Sequence, residues 1–486
     1  MAINPLKILF VASEVEGLVK TGGLADVAKA LPLHLAREGH DVRIILPFYK
    51  TIKRRDEATL LASRWLPTPQ DSSDIDYRIH QLDLEGICVY LIDCPQYFDR
   101  PQLYAENNQA YPDNGERFAF LAAAALHACE QLGFAPDIVH CNDWHTGLLP
   151  LLLKTRHAHN PFFQRTRSVI SIHNAAFQGV FDRQQFWAVP EISDYERRIN
   201  YDYGHINLLK CGVLYADKIN AVSPNYASEL LTHLGAHGMA SVFQQRAADL
   251  RGILNGCDYH DWDPSSDPLL PATYGVDNLA GKHVCKRVLQ QETGLPVDDL
   301  PIYGMVCRLT EQKGVHLLIP TLDKFLQHRV QVVIVGSGDP SLAAQLQAIA
   351  QQHPDKFAFI NAYDDRLAHL VEAGADFFLM PSLFEPCGLN QMYSLAYGTL
   401  PLVRAVGGLK DTVVDWDANP EHATGFCFND PTASTLLDAM RRSLLHYLQE
   451  PEHFARIQHN AMNTRFDWAD SVPLYEQMYR DALATN

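Results

Sequence analysis

Short runs of Ile, Val and Leu, each closed by a glycine or polar turn and followed by an amphipathic stretch, recur along the chain. In the first half, runs at 7–12, 41–46, 87–93, 137–140, 168–172 and 218–222 predict strands. Stretches at 25–38, 116–132 and 207–216 predict the helices between them. The runs do not alternate strictly between apolar and polar, which is the pattern of strands covered on both faces. Strands alternating with helices predict right-handed βαβ units and a parallel sheet. The rhythm restarts after Asn255-Gly256, with strands predicted at 302–307, 330–335, 357–360, 377–380 and 400–403. Residues 258–271 are rich in Asp and Pro and read as an irregular connection beside a domain boundary at about 254–256. The fold class expected is therefore α/β, with two similar doubly wound domains.

Composition narrows the partners. A chain of 486 residues is too long for one ordinary core and suits two large domains. Its net charge of −17 argues against nucleic acid and anionic membranes, both of which select a basic surface. No run reaches the roughly 18 apolar residues that a membrane helix needs. The start of the chain shows no basic segment followed by a cleavage site, so a cytoplasmic protein is expected. The ten cysteines form no CxxC pair, which speaks against a structural zinc site or a disulfide framework. An anionic ligand would have to be met by a few local cations and backbone amides.

Four places could supply them. Lys20-Thr21-Gly22-Gly23-Leu24-Ala25-Asp26 follows the first strand. Paired glycines let backbone approach an anion, and a helix starting there offers free N–H groups. The same spacing also suits a plain strand-to-helix turn with a solvated lysine. Arg308 and Lys313 lie five residues apart on the loop after strand 302–307, at the strand end where parallel sheets bind ligands. They could grip two phosphates, or be two solvated cations. Glu385-Pro386-Cys387-Gly388-Leu389 precedes a helical stretch and sets a carboxylate beside helix N–H groups. This arrangement suits a sugar diphosphate, or simply an acid favoured by the helix dipole. Asp143-Trp144-His145 and His173-Asn174 end two further strands with groups that hydrogen-bond and stack on sugars, although a lone strand-end histidine is often structural.

Together with Asn255-Gly256-Cys257-Asp258, these motifs resemble, in order and spacing, the bacterial glycogen and plant starch synthases along essentially the whole chain. The resemblance implies a GT-B fold, in which two Rossmann-like domains face each other across a deep cleft. It implies an acceptor-side domain over 1–254, completed by a last helix at 467–486, and a nucleotide-sugar domain over 255–466. It implies ADP-glucose as donor, an α-1,4-glucan as acceptor, retention of anomeric configuration, and no metal or organic cofactor. Carried over residue by residue, Lys20 and the amides of Gly22 and Gly23 serve the donor, with Asp26, Asn174 and Asn255 in the same motifs. Arg308 and Lys313 hold the diphosphate. Glu385 binds glucose hydroxyls, supported by the backbone of Cys387, Gly388 and Leu389. His173 sits beside the sugar, Asp143 near the sugar or acceptor path, and Tyr363 stacks on adenine. Many related retaining enzymes carry a second Glu eight residues after the first. Tyr393 stands there in this chain, as the bacterial-type resemblance implies, which leaves ribose recognition unassigned.

Overall fold

The computed structural model describes residues 5–66, 75–106, 109–202 and 204–485. The first four residues, on which part of the expected lack of a leader rests, lie outside the described residues. The chain divides into two compact units: Met1–Gly256 with Trp468–Asn486, and Cys257–Asp467.

The first unit carries a nine-stranded sheet: β1 Lys7–Val11, β2 Asp41–Pro47, β3 Thr59–Leu66, β4 Ile75–Leu84, β5 Ile87–Asp93, β6 Ile138–Asn142, β7 Arg167–Ile172, β8 Lys218–Ala221 and β9 Leu250–Gly252. Their spatial order is β9-β8-β7-β6-β1-β2-β5-β4-β3. Pairing is parallel from β9 to β5. It turns antiparallel for β4 and β3. The run-based reading finds the six longer parallel strands and misses the β3–β4 hairpin. There Ile75, Tyr77, Ile79, Leu82 and Leu84 point inward while Asp76, Arg78, Gln81 and Asp83 face water. That alternation belongs to a sheet with one solvated face, a different signal from a continuous apolar run.

The helix Trp468–Leu483 at the end of the chain also belongs to this unit. It docks through buried polar groups as well as apolar ones. His40 Nδ1 accepts from the Leu6 amide at 3.0 Å, so its Nε2–H donates to the buried Glu476 carboxylate at 2.9 Å. His140 lies 2.7 Å from the Tyr479 hydroxyl and 2.7 Å from Ser171 Oγ. Asn220 donates to Ser171 at 3.1 Å and to Tyr475 at 2.9 Å. Burial pushes His140 down to about 3, so it stays neutral inside this network.

The second unit holds a six-stranded, wholly parallel sheet: β10 Ile302–Val306, β11 Gln331–Val335, β12 Phe357–Ile360, β13 Phe377–Met380, β14 Leu400–Arg404 and β15 Phe426–Phe428. The order is β12-β11-β10-β13-β14-β15. One face packs Leu318, Leu322, Phe325, Leu436 and Met440. The other packs Cys285, Leu289, Leu370, Val371 and Tyr397. Tyr393 faces this interior, stacked 4.0 Å from Trp262, which stacks 3.7 Å from His369.

Both sheets reverse direction once. In the first, β1 is followed by β2 on one side and has β6 on the other. In the second, β10 has β11 on one side and β13 on the other. The crevice beyond the carboxyl ends of such strands is the general ligand site of open parallel sheets.

Candidate functional site

At the first reversal the loop after β1 runs into helix Gly23–Arg37. The buried Glu14 carboxyl organises it. It accepts from the amide of Thr21, from Thr21 Oγ1 at 2.9 Å, and from the Gly22 amide at 3.2 Å. The Tyr104 hydroxyl reaches Glu14 at 3.0 Å and Ser13 at 2.7 Å. Lys20 Nζ lies 2.7 Å from Asp26 and 2.8 Å from Glu16. Burial opposes its charge, but those two carboxylates outweigh burial and hold the ammonium above its ordinary range. Lys20 therefore arrives as a fixed cation in an acidic clasp, not as a loose surface lysine. Gly22 is extended at φ −158°. A Cβ added at Gly22 or Gly23 would meet nothing within 4 Å. Neither glycine is demanded by the fold around it, so the space above them is free for a ligand.

On the other side of the reversal, β6 ends at Asn142 with Asp143 directly after it, and β7 ends before His173. Asp143 Oδ1 accepts from the amides of His173 at 2.7 Å and Asn174 at 3.4 Å, pinning one strand end to the other. Asn142 spends its Nδ2 on Val11 O at 2.9 Å, so its Oδ1 accepts from His173 Nε2 at 2.9 Å. The ring proton of His173 is thereby fixed on Nε2, and Nδ1 keeps a lone pair for a hydroxyl donor. Burial pushes His173 down to about 3, so it is neutral throughout the working range. Asn174 Oδ1 closes a local turn on the Ala176 amide at 3.0 Å.

Burial raises Asp143 to about 7, against the help of its two amide donors. In the unfolded chain the same carboxyl ionises near 4. Between these values the folded state keeps a proton that the unfolded state has lost, so folding stability falls as pH rises from about 4 to 7 and is level above. Asp143→Asn retains the Oδ1 acceptor without the charge. Its stability relative to the parent chain should therefore grow across that window by on the order of a few kcal/mol. Urea titrations at pH 5 and pH 8 measure this, and equal differences at both would show that Asp143 is not held protonated.

At the second reversal the loops after β10 and β13 meet. Leu383 N–H donates to Gln312 O at 2.8 Å. Gly314 takes φ 72°, and a Cβ there would lie 2.0 Å from Pro381 O, so only glycine permits the approach. Lys313 Nζ lies 2.6 Å from Glu385 Oε2, which also accepts from Ser382 at 3.0 Å. Glu385 is buried and Lys313 half-buried, and together they form a charge pair at the strand ends. Arg308 is exposed, and among the described residues it makes no hydrogen bond or ion pair. Cys387 and Gly388 follow in a turn whose carbonyls accept from Gln391 Nε2 at 3.1 and 3.0 Å. Leu389 caps helix Asn390–Ala396. The backbone carbonyls of Glu385 and Cys387 press on Gly407 and Gly408, where a Cβ would lie 1.9 and 2.2 Å away.

The structure thus brings together Lys313 with Glu385, Asp143 with His173 and Asn174, and Lys20 with Asp26. Tyr363 is 75% exposed on the loop after β12, its hydroxyl 3.2 Å from Asp365. Asn255 is buried, donates its amide to Val222 O at 3.3 Å, and has no partner for Oδ1. Sequence reasoning passed over Glu14, Asn142 and Ser382. Each is a polar residue at the carboxyl end of an apolar run, and that position was the available signal.

Residues 7–245 match the family described as starch synthase catalytic domain, and residues 289–463 match glycosyl transferases group 1. The glycogen synthase of Aeromonas hydrophila is 88% identical over 484 residues, covering 100% of both chains. The glycogen synthase of Photobacterium profundum is 59% identical over 481 residues, covering 98% of this chain and 94% of that one. Among solved structures, the catalytic domain of starch synthase IV from Arabidopsis thaliana, bound to ADP and acarbose, superposes with a TM-score of 0.90 at 31% identity. It covers 99% of this chain and 100% of that one. A two-domain α/β architecture with parallel sheets reversing at both candidate sites, and identity of this order along the whole length, place the chain in the glycogen synthase family of GT-B glycosyltransferases.

Proposed function

We propose that the chain transfers glucose from ADP-glucose to the non-reducing end of an α-1,4-glucan, with retention at the anomeric carbon. The observation that carries this reading is the Lys313–Glu385 pair at 2.6 Å, with an uncommitted Arg308 on the same loop. As the bond between glucose C1 and the diphosphate breaks, positive charge grows on the sugar and negative charge on the leaving ADP. Arg308 offers a planar fork and Lys313 a point charge to the diphosphate, and both gain most when that charge is fully developed. Glu385, paired with Lys313 and aimed by Ser382, accepts from glucose hydroxyls. The Cys387–Leu389 backbone supports sugar and phosphate, and Tyr363 offers an exposed ring to the adenine.

In the first unit, neutral His173 turns the Nδ1 lone pair toward a sugar hydroxyl. Asp143 holds that strand end in place, with Asn174 beside it. Lys20, the Gly22 and Gly23 backbone, Asp26 and Asn255 complete the proposed substrate contacts. A retaining glycosidase would set a second carboxylate about 5–5.5 Å from the first to act as nucleophile. We infer instead that the acceptor hydroxyl attacks the same face that ADP leaves, within an ion-pair-like state. The ten free cysteines fit a reducing, cytoplasmic setting. Among the described residues no helix is long and apolar enough to cross a membrane.

Incubation with ADP-glucose and glycogen tests the proposal directly. ADP should be released in step with glucan chain growth. Release of ADP without elongation, or binding of glycogen with ADP-glucose left intact, would overturn it.

A further inference from the structure

Three side chains at the back of the second unit converge on one point. Helix Ala433–Gln449 ends at Glu450, and helix Pro451–Asn463 begins directly after it. His446 lies in the last turn of the first helix and His453 in the first turn of the second. Both turn the same ring nitrogen, Nδ1, toward the same carboxylate oxygen, Glu450 Oε2, at 2.6 and 2.9 Å. The three potential ligand atoms all lie within 4.8 Å of one another. The two contacts differ in kind. His453 is hydrogen-bonded to Glu450. The His446 nitrogen is buried and has no aligned hydrogen-bond partner, despite its short approach to the oxygen. A buried nitrogen thus faces the carboxylate closely without the alignment of a hydrogen bond.

The rings are also held in place. Trp416 packs 4.9 Å from the His446 ring and 5.1 Å from the His453 ring, and Phe426 closes on His446 at 5.6 Å. The Glu450 backbone is fixed by its N–H to His446 O at 3.0 Å and its carbonyl to Phe454 N at 3.0 Å.

We propose that His446, Glu450 and His453 form a site for a zinc-class divalent transition-metal ion, which clamps the two helices together. Two imidazoles and one carboxylate are a zinc ligand set, with water in the fourth position. Calcium and magnesium, which take oxygen ligands, are disfavoured by the two nitrogens. At metal–ligand distances near 2.0–2.2 Å, tetrahedral ligand atoms stand about 3.3–3.5 Å apart. The observed cluster reaches that spacing by opening the two contacts with Glu450 by about half an ångström to an ångström. Each histidine gives its Nδ1 lone pair to the ion and keeps its proton on Nε2. The ion would sit away from the reversal points of the sheets, on helices that the proposed glucosyl transfer does not use.

The test uses the full chain, stripped with a chelator and titrated with Zn²⁺ against a chromophoric competitor. Thermal unfolding and the visible spectrum of the Co²⁺-loaded protein are recorded in parallel. One ion per chain is expected, with an unfolding midpoint that rises with free Zn²⁺. His453 and Glu450 are each 45% exposed, so His453→Ala and Glu450→Gln should fold as the parent does. Each should weaken binding by more than about 100-fold, beyond the 10–100-fold usual for losing an outer-shell partner. The tetrahedral Co²⁺ bands should vanish in both. Absence of stoichiometric binding in the parent chain overturns the site, as does equal binding in His453→Ala. An unmoved midpoint in the loaded parent overturns the clamp.

Discussion

Gly22→Ala and Gly23→Ala will leave the unfolding midpoint of the chain nearly unchanged and lower kcat/KM by on the order of 10²-fold, the cost of displacing a reacting group by about an ångström. Most glycine substitutions beside a binding site confuse folding with function, and this pair separates them. Gly22 is extended, Gly23 opens a helix, and the Cβ that either substitution adds points into open space. Alanine also costs less chain entropy than glycine on folding, so a small gain in stability is the expected side effect. The matching pair in the second unit behaves in the opposite way. A Cβ at Gly407 or Gly408 would lie 1.9 or 2.2 Å from backbone carbonyls that cannot move aside. Gly407→Ala and Gly408→Ala should therefore lose stability first, with activity following the folded fraction. Thermal melts alongside initial rates decide the matter. A Gly23→Ala chain that turns over normally would mean that nothing approaches that backbone.

Arg308→Ala and Lys313→Ala should each lower kcat by about 10²–10³-fold, the usual loss for one charge contact made in a transition state. Their stabilities should differ. Arg308 is exposed and makes no ion pair or hydrogen bond among the described residues, so its removal costs nothing in the fold. Lys313 is the partner of a buried carboxylate, and its loss leaves Glu385 with the Ser382 hydroxyl alone. An uncompensated buried charge is expensive, and with Lys313 itself 21% exposed to screening water the expected cost is about 1–3 kcal/mol. Adding Glu385→Gln to Lys313→Ala should restore most of that stability and none of the turnover. Denaturant titrations and single-turnover rates give the two readings separately. Normal kcat in either single variant removes that residue from the reaction.

These contrasts show where the sequence was legible. Continuous apolar runs such as 87–93 and 377–380 mark strands buried on both faces, and the structure has Ile87–Asp93 and Phe377–Met380 with those bounds. The three-residue strands Leu250–Gly252 and Phe426–Phe428 were too short to register as runs. The β3–β4 hairpin was missed because its signal is alternation, broken by a register shift between Leu60 and Ala62. Candidate site residues were legible as types at strand ends, such as Glu385 and His173. Their partners were not. Nothing in the string 13–16 says that Glu14 turns inward to bind the Thr21-Gly22 backbone while Glu16 turns to Lys20. Nor does the string Gly-Gly say that the pair at 22–23 leaves free backbone while the pair at 407–408 is a forced contact.

The docking of helix Trp468–Leu483 sets the order in which the chain can be finished on the ribosome. Its partners, His40, His140 and Asn220, are all made early, and they stay uncovered while the whole of Cys257–Asp467 is translated. At 5–20 residues per second, that interval of roughly two hundred residues lasts on the order of 10–40 s. The first domain to emerge is thus the last to close. A nascent chain halted anywhere in its second domain exposes an unfinished sheet face, and a truncation that removes only the final helix damages the opposite end of the polypeptide.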